Sequence, residues 1–255
     1  MTAGRRDDSS EAGNLAEAAP RIAELEPLVD ERVGVGRDFA MQSKTIFIVF
    51  STISEAHAPP PFEFLAASSR VQVRRLFVRD VKRVWYHHGV PGLGNRVDVV
   101  AKSLRAILDE QGAERVVVIG YSAGGYAALL FGALLSADLV FSLEPQTCID
   151  RGWLAEIGDE RWTPALDRLD GLGGADERYV DLREVLARER RGETRYELHY
   201  NALFEADEQH AGRLEGIPGL ELHRREPDGL NIVRSLRRSG ELERIFGDAV
   251  GDQGS

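Results

Sequence analysis

The residues Gly120-Tyr121-Ser122-Ala123-Gly124-Gly125 set one serine among three glycines, directly after the apolar run Val116-Val117-Val118-Ile119 and before an Ala- and Leu-rich stretch reaching Leu135. A serine on a tight strand-to-helix turn is held in a strained backbone conformation, and flanking glycines let the strand and helix close in without a side-chain collision. The helix behind it points its free amides and positive dipole end at the same spot, which suits an oxygen gaining negative charge. The chemistry that fits is nucleophilic attack by the Ser122 hydroxyl. Two other uses of glycine-rich turns are excluded. Dinucleotide binding needs glycine where Ser122 stands, and a phosphate-cradling Walker loop needs Gly-Lys-Ser/Thr, which the chain lacks.

The elements around the turn alternate. Thr45–Phe50 is a continuous β-branched and aromatic run that reads as a strand buried on both faces, and Val71–Val78 reads as a second. After the turn-rich stretch 88–94, Val97, Val100, Leu104, Ile107 and Leu108 recur at helical spacing up to Gly112. The Val116–Ile119 strand, a helix over 125–135 and the strand Leu139–Leu143 follow. A helix over 181–190, strands at Tyr196–Tyr200 and Leu220–His223, and a final helix over 231–246 complete the pattern. Such alternation predicts an α/β fold, a mainly parallel sheet flanked by helices on both faces. Residues 1–20, rich in Ala, Gly, Ser and charge, read as a disordered tail ahead of a single domain over 21–250. That domain opens with a short helix over 21–35 carrying Ile22, Leu25, Leu28 and Val29. The looser stretch 145–190 reads as a small helical cap whose Trp153, Trp162 and Tyr179 either face a pocket or pack within the cap.

Composition narrows the function classes. The 255 residues carry 32 Lys and Arg against 42 Asp and Glu, a net charge of −10, with 43% hydrophobic positions: an ordinary globular chain. The acidic balance argues against nucleic acid, whose affinity comes from basic residues neutralising phosphates, and against an anionic membrane. No run approaches the ~18 apolar residues of a membrane span, and no secretory signal precedes the first elements. A lone cysteine, Cys148, excludes an intrachain disulfide framework and a Cys-rich zinc site and fits a reducing, cytoplasmic setting. No histidine pair shows metal-ligand spacing with a supporting carboxylate, apart from Asp207 and His210 within one turn. Neither metal nor cofactor is expected, the expected partner is a small-molecule substrate, and the oligomeric state is left open.

With GYSAGG between that strand and that helix, the chain resembles the α/β-hydrolase superfamily over roughly 44–246. The resemblance implies Ser122 as nucleophile, the Ala123 amide as one oxyanion donor, and an amide of the loop after Thr45–Phe50, Thr52 or Ser51, as the second. It implies an acid after the penultimate strand, where Asp207 fits; an N-cap role would also explain that residue, and Glu144, after Leu139–Leu143, is the alternative acid. The base should follow the last strand, but the loop Arg225–Asn231 holds no histidine, and Leu230 stands near the expected position. Leucine accepts no proton, and without a base a serine hydroxyl is a poor nucleophile. Of the six histidines, His210 has a nearby carboxylate, Asp207, to orient it and is the assigned base, with His223 second. His199 reads as strand packing, His87 and His88 as pocket mouth, and His57 as surface. The expected function is a serine hydrolase of ester, thioester or amide substrates through Ser122, Asp207 and His210. The alternative is a hydrolase-fold binding or pathway-partner module that has lost its chemistry.

Overall fold

The computed structural model describes residues 33–53, 64–189, 193–229 and 231–251. The expected tail 1–20, most of the expected helix 21–35, His57 and Leu230 lie outside them. Seven strands form one sheet: β1 (Val35–Asp38), β2 (Thr45–Phe50), β3 (Arg74–Val78), β4 (Arg115–Tyr121), β5 (Leu139–Leu143), β6 (Arg195–Asn201) and β7 (Leu220–Arg225). Their order is β1-β3-β2-β4-β5-β6-β7. Only β1 runs antiparallel to its neighbour. The helices are α1 (Leu65–Ser68), α2 (Val97–Glu110), α3 (Ala123–Leu135), α4 (Arg151–Glu156), α5 (Thr163–Gly171), α6 (Leu182–Glu189), α7 (Glu205–Gly212), α8 (Ile232–Arg238) and α9 (Glu241–Val250).

Strand alternation sorts the core into two layers. Ile46, Ile48 and Phe50 of β2 face α2, α3 and the helices after β5, whereas Phe47 and Val49 face α1, α8 and α9. Every residue of β2 and β5 is buried, which is why both are almost wholly apolar, Thr45 and Ser142 excepted. Helix α3 is buried along nearly its whole length, and its Phe131 ring stacks on Phe50 at 5.0 Å.

Three boundaries differ from the sequence reading, each for a local reason. β3 begins at Arg74 rather than Val71, because the Val71 and Val73 amides close turns behind α1. The single final helix is two helices, interrupted at Gly240, whose φ of 73° leaves the helical region. And β1 is an edge strand the sequence did not reveal, held on β3 by pairing of Arg37 with Leu76 and by the buried ion pair between Asp38 and Arg75.

The segment between β5 and β6 packs Leu154, Leu166, Leu169, Leu182 and Leu186 onto the α3 side of the core. A buried polar chain also ties it down. His87 Nδ1 accepts from the Asp176 amide at 3.1 Å, His87 Nε2 meets the Tyr126 hydroxyl at 2.9 Å, and that hydroxyl donates to the Tyr179 carbonyl. Since Nδ1 accepts, the proton sits on Nε2 and the ring is neutral. Burial pushes the His87 pKa down to about 4. The unfolded chain, with an ordinary histidine pKa of about 6.5, therefore binds the proton first: stability is full above that value and falls as pH drops toward 4. The expected loss from this residue is about 2 kcal/mol by pH 5 and about 3 kcal/mol by pH 4. Urea unfolding at pH 7.5 and pH 5 checks it, because His87→Gln should flatten the difference between the two.

Candidate active site

Strand β4 ends at Tyr121 and α3 begins at Ala123, so Ser122 alone makes the turn, at φ 56° and ψ −120°. A non-glycine residue there is strained and persists because its surroundings over-determine it. The Ser122 amide donates to the Leu143 carbonyl at 2.8 Å, and its carbonyl accepts from the Tyr126 amide at 2.9 Å. The close approach of helix to sheet rests on two glycines: a Cβ on Gly120 would lie 1.9 Å from the Gly124 carbonyl oxygen, and one on Gly124 2.4 Å from that of Phe50. Ala123 opens the helix, where an amide has no intrahelical acceptor. Of the two candidate second donors, the Ser51 amide is committed to the Val78 carbonyl at 2.9 Å.

The Ser122 hydroxyl has one hydrogen-bond partner among the described residues, and it is not a histidine. Gln146 Nε2 donates to Ser122 Oγ at 3.3 Å, while Gln146 Oε1 accepts from the Trp85 indole at 3.1 Å. An indole N–H only donates, so the amide oxygen must face Trp85 and the NH2 must face the serine. Trp85 is itself at φ 53°, fully buried, and packs edge-on against Trp162 at 5.8 Å. Gln146 lies three residues beyond β5, in a stretch without periodicity, and sequence reasoning missed it.

Glu144, one residue past β5, is buried at φ 44°. Its Oε1 accepts from the Ile232 amide at 3.2 Å. Burial, reinforced by the charge of Asp207, pushes its pKa up to about 7 against the hydrogen bonds it accepts, among them one from Tyr121. The Tyr121 hydroxyl also accepts from Asn231 Nδ2 at 3.0 Å. The loop after β7 thus does arrive beside the serine turn, bringing Asn231 and the Ile232 amide.

Asp207 and His210 sit together on α7, both buried, yet the pairing expected of them is not what forms. His210 Nδ1 accepts from the Thr147 amide at 2.9 Å, and its Nε2 faces Asp159 at 3.4 Å. Asp207 is bound instead to Arg161 at 2.8 Å, and Arg161 also makes a two-point contact with Asp159. Both ring nitrogens of His210 are engaged, and no hydrogen bond joins it to Ser122. Burial lowers the His210 pKa and raises that of Asp207. Burial works upward on Asp159 too, but hydrogen bonds from Arg161 and His210 hold it well below the usual carboxylate range. The carboxylate that serves His210 therefore comes from the segment between β5 and β6, and the imidazole anchors Thr147, next to Gln146. His87 is tied to Tyr126, His88 Nε2 meets the Gly174 carbonyl at 2.9 Å, and His199 and His223 stack on each other along β6 and β7.

A mainly parallel sheet covered by helices, with a strained serine between the fourth strand and its helix, defines the α/β-hydrolase fold, and this chain has it. No protein-family profile and no curated protein matches the sequence. Solved structures do. A capsule O-acetyltransferase of Neisseria meningitidis serogroup A aligns with a TM-score of 0.62 at 13% identity, covering 86% of this chain and 90% of that one. Brefeldin A esterase, a bacterial homologue of human hormone-sensitive lipase, aligns at 0.57 and 13% identity, over 98% and 88%. A fluorophosphonate-binding serine hydrolase of Staphylococcus aureus aligns at 0.55 and 11% identity, over 84% and 86%. Among the described residues no helix is long and apolar enough to cross a membrane.

The turn geometry makes one stability prediction. In Gly124→Ala the new methyl meets backbone, not a movable side chain, so the helix must back away from β2. The expected loss is about 2 kcal/mol or more, a fall in Tm of at least ~4 °C for a chain of this size, read from a thermal melt.

Proposed function

We propose that the chain is a serine hydrolase of ester, thioester or amide substrates, with Ser122 as nucleophile. The observation that carries this is the strained Ser122 at the N-terminus of α3, with a hydroxyl that contacts a single donor. In the reaction, Ser122 Oγ bonds to the substrate carbonyl carbon, the carbonyl oxygen takes the negative charge, and the Ala123 and Thr52 amides receive it. Collapse of that intermediate expels the alcohol, thiol or amine and leaves an acyl-serine, which water then hydrolyses. The resemblance in fold to a brefeldin A esterase and to a capsule O-acetyltransferase agrees with acyl chemistry at such a serine.

The serine proton goes to Glu144 in this proposal rather than to His210. A base works best with a pKa near the operating pH, which burial gives Glu144, although among the described residues its carboxylate is hydrogen-bonded to the Ile232 amide and not to Ser122 Oγ. Asp207 and His210 become positioning residues: with Asp159 and Arg161 they fix Thr147 and hence Gln146. A second reading keeps the fold and discards the chemistry, as a binding module. It is favoured by the Gln146 N–H, a donor standing on the serine oxygen where an enzyme of this class presents an acceptor.

Fluorophosphonate labelling separates the two. The hydrolase reading expects wild type to label, Ser122→Ala not to, and the labelling rate to rise through about pH 7 with a limb that Glu144→Gln abolishes. Wild type that labels no better than Ser122→Ala sinks it. Leu230→His should then create labelling, since the loop end reaches Tyr121 and Glu144.

A further inference from the structure

Away from the serine, β6 and β7 each carry the tripeptide Glu-Leu-His. The parallel register sets Glu197 opposite Glu221 and His199 opposite His223, and the two-residue spacing puts all four side chains on one face. The two imidazoles stack with centroids 4.4 Å apart and planes 15° from parallel. His199 is 1% exposed. The Nε2 atoms of both rings are buried without a hydrogen-bond partner, each 3.8 Å from a carboxylate oxygen, of Glu197 and Glu221 respectively. One ligand atom each from Glu197, His199 and His223 lie within 4.8 Å of one another. They line a cleft of about 360 Å³ between β5–β7 and α9.

We propose that this cluster binds a divalent cation of the zinc class, with Glu197, His199 and His223 as ligands and Glu221 beside them. Buried ring nitrogens without partners are rare, since each leaves a polar group desolvated for nothing, and a cation satisfies both at once. Two imidazoles and a carboxylate suit zinc and its first-row neighbours, whereas magnesium and calcium prefer an all-oxygen shell. Zinc ligands lie about 2.0–2.2 Å from the ion, so the three atoms must draw together by roughly 1 Å. His223, whose side chain is 31% exposed, has room to do so.

The surrounding arginines define how the ion enters. Arg195 binds Glu197 Oε1, leaving Oε2 turned toward His199. Arg225 Nε donates to His199 Nδ1 at 3.2 Å, so without metal the ring proton sits on Nε2. A cation at Nε2 sends that proton to Nδ1, and Arg225 leaves the ring while keeping its 2.7 Å contact with Glu241. Arg225 is therefore a competitor of the metal, and the site is independent of the Ser122 chemistry.

The test is titration of the full chain with Zn²⁺ against a chromophoric chelator, with Co²⁺ absorption as the spectroscopic readout. The expected result is one ion per chain with an apparent Kd at or below about 1 µM, unchanged in Ser122→Ala and not displaced by excess Mg²⁺. His223→Ala, at a half-exposed position where the fold should survive, should weaken binding at least ~10-fold and alter the Co²⁺ spectrum, and Arg225→Gln should tighten it. No binding by wild type, or a stoichiometry and Kd that His223→Ala leaves unchanged, overturns the proposal.

Discussion

The contact on which the rest of the site depends is backbone against backbone. Helix α3 meets the ends of β2 and β4 so closely that Gly120 and Gly124 leave no space for a methyl group. With the helix drawn in that far, one residue must turn the chain, and Ser122 takes a conformation that costs a non-glycine residue of order 1–3 kcal/mol. Burial of α3 outweighs that cost: Tyr126, Leu129, Leu130 and Phe131 are fully enclosed, each worth about 1.5–3 kcal/mol on removal from water. The strain is thus supported by the apolar burial of α3 together with the backbone hydrogen bonds of Ser122 to Leu143 and Tyr126.

The same approach fixes what surrounds the serine. Parallel strands that end at one edge bring their following residues together, and the buried polar residues Ser51, Glu144, Gln146, Asn201 and Asp207 gather there. Each must be satisfied or lose hydration uncompensated. Gln146 and Asp207 are satisfied through neighbours, from Trp85 through Gln146 to Ser122 and from Asp207 through Arg161 to Asp159 and His210, whereas Ser51 Oγ and Asn201 Nδ2 have no partner among the described residues. A buried network of this kind is rigid because removing any member strands its neighbours.

What was legible in the sequence was local, and what was not depended on distant chain segments meeting. The strand, the glycines and Ser122 lie within ten residues, and the parallel sheet followed from strand–helix alternation. Asp207 and His210 were recognisable as a candidate acid and base on one turn, but their partners Arg161 and Asp159 come from about 50 residues upstream in a segment with no periodic signal. Gln146 was hidden for the same reason. β1 was too short, at four residues with a central glycine, to stand out as a strand. His199 and His223 are joined only by the register of β6 on β7.

The choice between an enzyme and an inert relative turns on the protonation demands of two atoms. Ser122 Oγ already accepts a hydrogen bond from an amide whose orientation Trp85 dictates, so the serine's own proton must point away from Gln146. A donor on the oxygen does not remove that proton, but it does stabilise the alkoxide once the proton has gone. In the usual arrangement an imidazole supplies the acceptor, and here both nitrogens of His210 on α7 are spent on Thr147 and Asp159. In the proposed hydrolase the acceptor is a carboxylate, and an ordinary one, with a pKa near 4, would be too weak a base at neutral pH. Glu144 escapes that limit because the fold buries it beside the negative charge of Asp207 with no salt-bridge partner among the described residues, while Asp207 and Asp159 share Arg161. Burial first, and the charge of Asp207 second, raise Glu144 to about 7, the proton affinity that the proposed acceptor of the serine proton needs.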